Sequence, residues 1–444
     1  MRGKLIQLKK LIKEISMGPF GSDIKVENFV SEGVPVLNGS NLIGFKLGEE
    51  KFNYVTPEKA NTLNKAIASR GDIVVTHRGT LGQIIYIPNN SFYNRYVISQ
   101  SQFRVRLDAE LVNPIYFVYY FHTKEGQKRL LANKSHVGVP ALAQATTNFR
   151  LIEIPLPDLL TQNKIATVLT SLDAKIELNN CINTELEAMA RTLYDYWFVQ
   201  FDFPNADGKP YKSNGGKMEW NEKLKREIPG EWGVGTLSDL GNIVGGSTPS
   251  TAEPENFTTD GTPWITPKDL SLNVGKRYIT KGETDVTDEG IRSASLKLLP
   301  KGTILMSSRA PIGYMAIARE KVTTNQGFKS FVPKDGYSTE FVFLTVERTM
   351  PTIVSKASGS TFKEVSGGVV KAVEIVLPPK PIIKAFTSVV ELFFKKQDIL
   401  ELQNKQLTEL RDWLLPMLMN GQITVAEAEE RLTMAAESEA AYGK

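Results

Sequence analysis

The chain of 444 residues contains one cysteine, Cys181, and three histidines, His77, His122 and His136. A single thiol cannot form an internal disulfide, which favours a reducing, cytoplasmic environment. So few thiols and imidazoles cannot build a typical zinc site unless several carboxylates join them. There is no run of about 18 apolar residues, which excludes a conventional membrane-spanning helix. The basic N-terminus lacks the apolar core of a secretory signal.

Signatures of catalysis are also missing. The sequence has no G-x-x-x-x-G-K-[ST] phosphate loop and no G-x-G-x-x-G dinucleotide turn. It also lacks the Asn/Asp-Pro-Pro-aromatic motif that methyl transfer to an exocyclic amine needs. A nuclease-like E-x-K tripeptide stands at Glu49 and Lys51, but a chain of this length is expected to contain one by chance, and the second half has no equivalent. The sequence therefore predicts a protein that is not an enzyme and binds no metal.

The composition is that of a globular protein, with 41% hydrophobic and 23% charged residues, and the length allows two or three domains. The formal net charge of +4 is unevenly distributed, because residues 421–444 hold five acidic and only two basic side chains. The rest of the chain is therefore clearly basic. This excess is compatible with a polyanionic partner but does not require one.

Most of the sequence occurs twice, at a separation of about 220 to 230 residues. Residues 33–42 resemble residues 261–270, and residues 70–87 resemble residues 301–318. A period this long indicates duplicated domains and not a solenoid. Three further pairs follow in the same order: 98–106 with 324–332, 113–121 with 338–346, and 135–157 with 357–379.

Each half combines short strands with helices, so the predicted fold class is α+β with two duplicated, mixed and mainly β domains. Runs of β-branched and apolar residues that open after a glycine indicate strands at 72–76 and 303–306. Further strands are predicted at 84–87, 103–105 and 151–154, and helices at 58–68 and 114–132.

Each half ends in a long segment, 160–198 and 381–418, whose apolar residues recur at heptad spacing. Each helix would be roughly 50 to 55 Å long. One such helix alone would most often pack on its own domain, but two matched helices favour pairing with each other. The polar residues Asn179, Asn183, Lys396 and Gln403 interrupt the stripe and either fix the register or face solvent. The predicted coiled-coil residues are Leu169, Leu172, Ile176, Leu186, Leu193, Phe386, Val389, Phe393, Leu400, Leu407, Leu410 and Leu414.

The predicted organisation has six parts. The acidic tail is rich in Ala and Glu and is either disordered or a terminal helix. The parts are a first globular domain at 1–158, a long helix at 159–199, a linker rich in Gly, Pro, Asn and Lys at 200–231, a second globular domain at 232–379, a second long helix at 380–420, and the tail at 421–444.

Polar side chains cluster where predicted strands end, above all in the turns at 76–83 and 307–313. Arginine pairs bidentately with guanine edges or phosphate, and Ser, Thr and Gln contact either. A solvated, capped turn is the alternative, but recurrence in both halves favours binding. The candidate nucleic-acid-binding residues are Thr76, His77, Arg78, Thr80, Gln83, Arg95, Gln100, Gln102, Arg104, Lys134, Ser135, His136, Lys268, Ser307, Ser308, Arg309, Asn325, Gln326, Lys329, Lys356, Ser358, Ser360 and Lys363.

The order of these motifs, repeated in both halves, resembles the specificity (S) subunit of type I restriction-modification enzymes. The resemblance rests on the turn S/T-x-R-G/A-x-x-G at 76–82 and 307–313 and on the block S-G-S-T-F-K-E at 358–364. It also rests on I-P-L-P before the first long helix. The chain departs from the family pattern at SHVGVPALA, residues 135–143, and at the opening of the second helix.

The resemblance implies two target recognition domains, each reading one half of a bipartite, asymmetric site on double-stranded DNA. The long helices would form an antiparallel coiled coil that places the domains at opposite ends, so several unread base pairs would separate the half-sites. It further implies docking of two methylation (M) subunits and of restriction (R) subunits. S-adenosylmethionine, ATP and magnesium would bind to those partners, and no cofactor would bind to this chain.

Two other interpretations remain open at the level of sequence. One is a coiled-coil scaffold that carries two protein-binding domains. The other is a self-sufficient DNA-binding enzyme that uses Glu49 and Lys51.

Overall fold

The computed structural model describes residues 4–135, 138–309, 311–359 and 363–442. The chain forms two compact units, one made of Met1–Ile176 and Lys405–Lys444 and the other of Glu177–Asn404. No helix in the described ranges has the length and apolar character needed to cross a membrane.

The strands, in chain order, are β1 Lys4–Gln7, β2 Ile12–Met17, β3 Phe29–Val30, β4 Val34–Val36, β5 Asn53–Val55, β6 Ile67–Ser69, β7 Ile73–Thr76, β8 Ile84–Tyr86, β9 Arg95–Val97, β10 Gln102–Leu107, β11 Lys134–Ser135, β12 Ala141–Leu142, β13 Glu153–Leu156, β14 Met218–Asn221, β15 Arg226–Pro229, β16 Gly233–Thr236, β17 Gly241–Gly245, β18 Phe257–Thr258, β19 Thr262–Ile265, β20 Tyr278–Ile279, β21 Thr284–Val286, β22 Ile304–Met306, β23 Met315–Ala318, β24 Thr323–Thr324, β25 Lys329–Pro333 and β26 Glu374–Leu377.

The helices, in chain order, are α1 Pro57–Thr62, α2 Pro114–His122, α3 Lys124–Leu130, α4 Ala145–Leu151, α5 Leu159–Tyr194, α6 Leu237–Leu240, α7 Pro267–Leu272, α8 Asp288–Ser293, α9 Thr339–Ser355, α10 Gly367–Lys371, α11 Lys380–Met419 and α12 Val425–Tyr442.

The two units share one sheet topology, which confirms the duplication. In the first unit a sheet of order β2-β10-β7-β8 lies beside a sheet of order β3-β5-β4-β9-β6. The corresponding sheets of the second unit have the orders β17-β25-β22-β23-β20 and β18-β21-β19-β24, so four strands of each sheet recur in the same order, while β20 and β6 each belong to one unit. The ladder of β1 with β13 likewise recurs as β16 with β26. The sequence prediction of an α+β fold with two mixed, mainly β domains is therefore correct.

Equivalent helices begin with equivalent caps. Helix α2 starts after Asn113, whose side chain accepts hydrogen bonds from the amides of Ile115 and Tyr116 at 2.8 and 3.1 Å. Helix α9 starts after Ser338, whose hydroxyl accepts from the amide of Phe341 at 3.2 Å. Each cap satisfies amides that the first helical turn leaves without intrahelical partners.

The long helices pack into the hydrophobic core of each unit. In the first unit, Leu169 and Leu172 of α5 share a buried cluster with Leu407 and Leu414 of α11. In the second unit, Trp197 follows α5 in a π-helical turn at Asp195–Val199 and lies 5.6 Å from Phe386, measured between ring centroids. Burying such apolar side chains contributes about 1.5 to 3 kcal/mol each before opposing terms.

Polar contacts show that the helix segments of the second unit run antiparallel. The Asn179 amide donates to Gln403 at 2.6 Å and to Asn404 at 2.8 Å, and the Gln397 amide donates to the carbonyl of Asn183 at 3.0 Å. Residue numbers thus rise on α5 as they fall on α11. Asn179 is 1% exposed, so it is a buried register contact and not a solvated position.

The predicted heptad stripe is partly wrong on α11. Leu400, Leu407, Leu414 and Phe386 are buried as expected, but Val389 is 41% exposed while Val390 is buried. In the same way Phe394, not Phe393, is fully buried, and Gln397 replaces the exposed Lys396 as the inward polar residue. The buried residues Phe386, Val390, Phe394 and Gln397 follow one another at spacings of four, four and three, which keeps them on one face of a helix with 3.6 residues per turn. Ile176, Leu186, Leu193, Phe393 and Leu410 are half-buried.

Two local predictions also need correction. The helix expected at 58–68 ends at Thr62, and its last part is strand β6, because Ile67–Ser69 pairs with β9. The strand expected at 151–154 begins only at Glu153, since Leu151 closes helix α4.

The segment predicted as a linker is folded onto the second unit. It carries the hairpin of β14 with β15, and it buries Phe201, Phe203 and Ile228 in the core of that unit. The acidic tail is helical from Val425 to Tyr442.

Candidate functional site

In the first unit the candidate site is built on the turn that follows β7. The Thr76 hydroxyl donates to the side-chain oxygen of Gln83 at 2.9 Å, which ties the two ends of the turn together. Gly82 closes the turn with a φ of +93°, a conformation that favours glycine. Arg78, held between these ends, is exposed.

Two other segments join this turn. The His77 amide donates to the carbonyl of Ser101 at 2.9 Å, and the Gly79 amide donates to that of Pro140 at 2.9 Å. The His77 ring is half-buried, and burial lowers its pKa, so the imidazole is uncharged at neutral pH. The structure thus brings residues 76–83, 99–102, 134–135 and 138–142 together around Arg78.

The second unit builds the same site. The Ser307 hydroxyl donates to the carbonyl of Pro311 and accepts from the amide of Tyr314, both at 2.9 Å, and Gly313 has a φ of +95°. The Ser308 amide donates to the carbonyl of Gly327 at 2.7 Å, and the Val365 amide donates to that of Ser308 at 2.9 Å. These bonds bring together residues 307–309, 311–314, 325–329 and 363–365.

A charged cluster surrounds Arg309 in this second site. Arg309 donates through Nε to Oε2 of Glu364 at 3.0 Å, which leaves its two terminal nitrogens directed away from that bond. Lys329 donates to the Ser308 hydroxyl at 3.3 Å and lies 3.9 Å from Glu364. Burial lowers the pKa of Lys329, and Glu364 opposes that shift.

The sequence analysis missed Glu364 as a site residue. It belongs to the motif at 358–364, but an acidic side chain was not considered a candidate for a polyanion site. The signal that points to it is its place next to Lys363 in a motif that already carried other candidates.

The remaining candidates differ in accessibility. Arg95 lies on β9 and donates to Asn61 at 2.8 Å, and Lys268 on α7 forms an ion pair with Glu283 at 2.5 Å. His136 and Ser360 lie outside the described residues. The exposed candidates are Arg78, Thr80, Gln100, Lys134, Lys268, Arg309, Gln326, Lys356, Ser358 and Lys363, and the half-buried ones are His77, Gln83, Arg95, Ser135, Asn325 and Lys329.

Five candidates are buried and form their hydrogen bonds within the protein. Arg104 is the clearest case, because it donates to Glu14 and lies 3.8 Å from Asp72 inside the sheet. A buried guanidinium needs such carboxylates. The other four are Thr76, Gln102, Ser307 and Ser308, whose polar atoms hold the turns in shape.

The E-x-K tripeptide has a structural role. Both oxygens of Glu49 accept from the amide of Phe92, at 2.8 and 3.1 Å, and Oε1 also accepts from the Tyr96 hydroxyl at 2.5 Å. Burial raises the pKa of Tyr96 to about 12. Within the described residues there is no group of three or more His, Cys, Asp or Glu side chains that could hold a metal ion.

Comparison with known proteins gives consistent results. Residues 25–188 and 229–409 match the family model of the type I restriction modification DNA specificity domain. The chain is 40% identical over 210 residues to the type I restriction enzyme MjaIX specificity subunit of Methanocaldococcus jannaschii, covering 46% of this chain and 48% of that relative.

Two further similarities extend over nearly the whole chain. The HindI specificity subunit of Haemophilus influenzae is 28% identical over 412 residues, covering 81% of this chain and 88% of the relative. The crystal structure of the S subunit of a type I restriction-modification system from M. genitalium has the same fold. Its TM-score is 0.56 at 16% identity, with 94% of this chain and 95% of that chain covered.

Proposed function

This chain belongs to the family of type I restriction modification DNA specificity domains, and we propose on that premise that it is the DNA sequence-specificity subunit of a type I restriction-modification complex. Each unit reads one half of a bipartite site. The half-sites differ because the two turns present different side chains. The chain itself carries out no catalysis.

One observation supports this function above the others: each unit carries an exposed arginine in a rigid turn after the third strand of its sheet. The turns of Arg78 and Arg309 are closed by a side-chain hydrogen bond and by a glycine with positive φ. An arginine held in this way presents a planar fork of donors, which suits O6 and N7 of guanine or a phosphate. The lysines at 134, 356 and 363 lie on the neighbouring segments and supply positive charge for the DNA backbone.

The buried polar residues act indirectly in this proposal. Thr76, Gln102, Ser307 and Ser308 fix the shapes of the turns. A base contact needs that rigidity, because a donor must be held to within about half an ångström of the position that gives a good hydrogen bond. Phosphate contacts would set the register, and the arginines would contribute the sequence discrimination.

The long helices are the proposed docking surface for methylation subunits. On the outward side of α11, Leu392 is 63% exposed and Ile399 is 44% exposed, seven residues further along the helix. An exposed apolar stripe on an ordered helix is typical of a protein interface. In this proposal the methylation subunits bind S-adenosylmethionine, and restriction subunits recruited to the complex use ATP and magnesium.

The test combines binding with cleavage. The complex of this chain with its methylation subunits should bind duplex DNA that contains the target site, and changing both Arg78 and Arg309 to alanine should weaken that binding. Arg292→Ala, at an exposed position on α8, is the matched control and should bind as the unmodified chain does. The purified chain with magnesium and DNA should leave the DNA intact. Cleavage by the purified chain, or full binding by the doubly substituted chain, would contradict the proposal.

A further inference from the structure

The loop that follows β2, residues 18–23, lies directly against the 99–102 segment of the first site. The Gly18 amide donates to the carbonyl of the last residue of that segment at 2.8 Å. A Cβ atom on Gly18 would overlap a carbonyl oxygen of the segment, and one on Gly21 would overlap the side chain of Gln100. The two glycines therefore allow a close approach that a larger residue would block, and the loop becomes a further part of the site.

Phe20 lies between these two glycines, and its side chain is 83% exposed. Its amide donates to Oδ2 of Asp23, and its carbonyl accepts from the amide of Asp23, both at 2.9 Å. These two bonds close a turn that fixes the backbone on either side of the ring. A single exposed apolar side chain is common on protein surfaces and carries no inference by itself. The position of Phe20 beside the recognition site is what distinguishes it.

The second unit has a loop of the same length at the same place. Residues 18–29, GPFGSDIKVENF, align without a gap with residues 246–257, GSTPSTAEPENF. A Cβ atom on Gly246 would overlap carbonyl oxygens of residues 324–325, as one on Gly18 would overlap the equivalent segment of the first unit. Both units therefore hold this loop against the strand connection that carries the candidate glutamine.

The residue between the strand and the rest of this loop differs in chemistry between the units. Thr248 occupies the position of Phe20, and its hydroxyl donates to Oε1 of Gln326, the counterpart of Gln100. Both Thr248 and Phe20 are exposed. The first unit thus presents an aromatic ring where the second presents a hydroxyl paired with an amide. Two units that read different half-sites must differ at the residues that face DNA.

The groove that Arg78 would enter determines what such a ring can contact. The guanine atoms that suit an arginine fork, O6 and N7, lie in the major groove. The apolar group that base pairs present in the same groove is the C5-methyl of thymine. An apolar wedge between base steps would instead enter from the minor groove. A ring beside Arg78 therefore suits a thymine methyl.

We propose that Phe20 is a specificity-determining residue of the first unit and that its ring packs against the C5-methyl group of a thymine in the half-site that this unit reads. The inference rests on the proposed function and adds an A·T pair to that half-site. Loss of one buried methyl group should weaken binding by about fourfold. Arg78 would supply hydrogen bonds and Phe20 an apolar contact, so the two residues specify different base pairs.

The test replaces each thymine of the recognised sequence, one at a time, with deoxyuridine, which lacks only the methyl group. The complex of this chain with its methylation subunits is titrated with each duplex. We expect one position at which the unmodified chain binds the deoxyuridine duplex about fourfold more weakly than the thymine duplex. The Phe20→Ala chain should bind these two duplexes equally, because the ring that senses the methyl group is gone.

Two further variants complete the test. Phe20→Leu keeps an apolar side chain and should retain most of the preference for thymine. Phe92→Ala is the matched control, because Phe92 is 79% exposed in the same unit and follows β8, away from the turn that joins β7 to β8. It should keep the full preference.

The proposal is wrong if no thymine shows the preference, or if Phe20→Ala retains it at every position. In either case the unmodified complex would still bind the recognised duplex more tightly than a scrambled one, and the proposed function would stand. Equal binding of recognised and scrambled duplexes by the unmodified complex would overturn the proposed function and this inference together.

Discussion

At the scale of single residues, burial decides which polar side chains can meet a partner. The sequence places Arg104 and Arg78 in equally polar motifs, but Arg104 lies in a strand whose other side chains are mostly buried, and Glu14 holds it there. Composition alone cannot distinguish a buried ion pair from an exposed contact, because both need an arginine. The strands and turns were predictable from local patterns, whereas the partner of each arginine depends on residues distant in sequence.

Glu364 offers a prediction at this scale, since its carboxylate orients Arg309 through Nε. Glu364→Ala should strengthen binding to non-specific DNA, because one negative charge is removed from a surface that faces phosphates. It should also lower the ratio of specific to non-specific affinity, because the Arg309 guanidinium loses the hydrogen bond to Glu364 that fixes its orientation. The measurement is affinity for target and scrambled duplexes across a salt series.

The control for Glu364→Ala is Glu320→Ala, which removes the same charge from an exposed position with a weak pairing of 4.0 Å to Lys301. This control should leave the ratio of affinities unchanged. An unchanged ratio in Glu364→Ala as well would show that Glu364 does not position Arg309.

At the scale of elements, the ends of the long helices were predictable from the sequence, but the face that α11 buries was not. Helix α11 spans Lys380–Met419, close to the predicted 381–418, because the apolar spacing and the absence of internal glycine determine its length. The inward face passes through Val390 and Phe394, which a strict heptad places one residue earlier. The core that the helix packs against decides this face, and that core comes from β strands far away in sequence.

The outward face of α11 gives the prediction for this scale. Leu392→Asp together with Ile399→Asp should reduce the recovery of methylation subunits with this chain, because both side chains are exposed and apolar and would lose their buried area in the interface. Folding should be unaffected, since neither side chain belongs to the core. Co-purification of the subunits, with the circular dichroism of the purified chain, measures both effects.

Leu298→Asp is the matched control for the helix substitutions, because Leu298 is an exposed apolar residue of the same unit that lies outside the helices. It should retain the methylation subunits. Loss of the subunits in the control, or their full retention in the helix variant, would exclude this face as the docking surface.

At the scale of the whole molecule, the duplication is the feature that the sequence predicted most completely. Five matched blocks in one order predicted two units of one topology, and four strands of each sheet recur in the same order in both units. The segment at 200–231 was less predictable. Its glycines and prolines are typical of a linker, yet Phe201 and Phe203 are buried in the core of the second unit, where their rings contact Trp232.

Two similar units with different turn residues account for an asymmetric site. Arg78 stands between His77 and Gly79, whereas Arg309 follows two serines and is bound by Glu364. The central claim is therefore that each unit reads its own half of the DNA site.

The measurement that tests this claim most directly is the genome-wide methylation pattern of a host that expresses this chain with its methylation subunits, compared among the unmodified chain, Arg78→Ala and Arg309→Ala. Each substitution should relax one base position, by about 1 to 3 kcal/mol of discrimination, and the two positions should lie in different halves of the recognised sequence. Relaxation in the same half for both variants, or an unchanged sequence for either, would contradict the account.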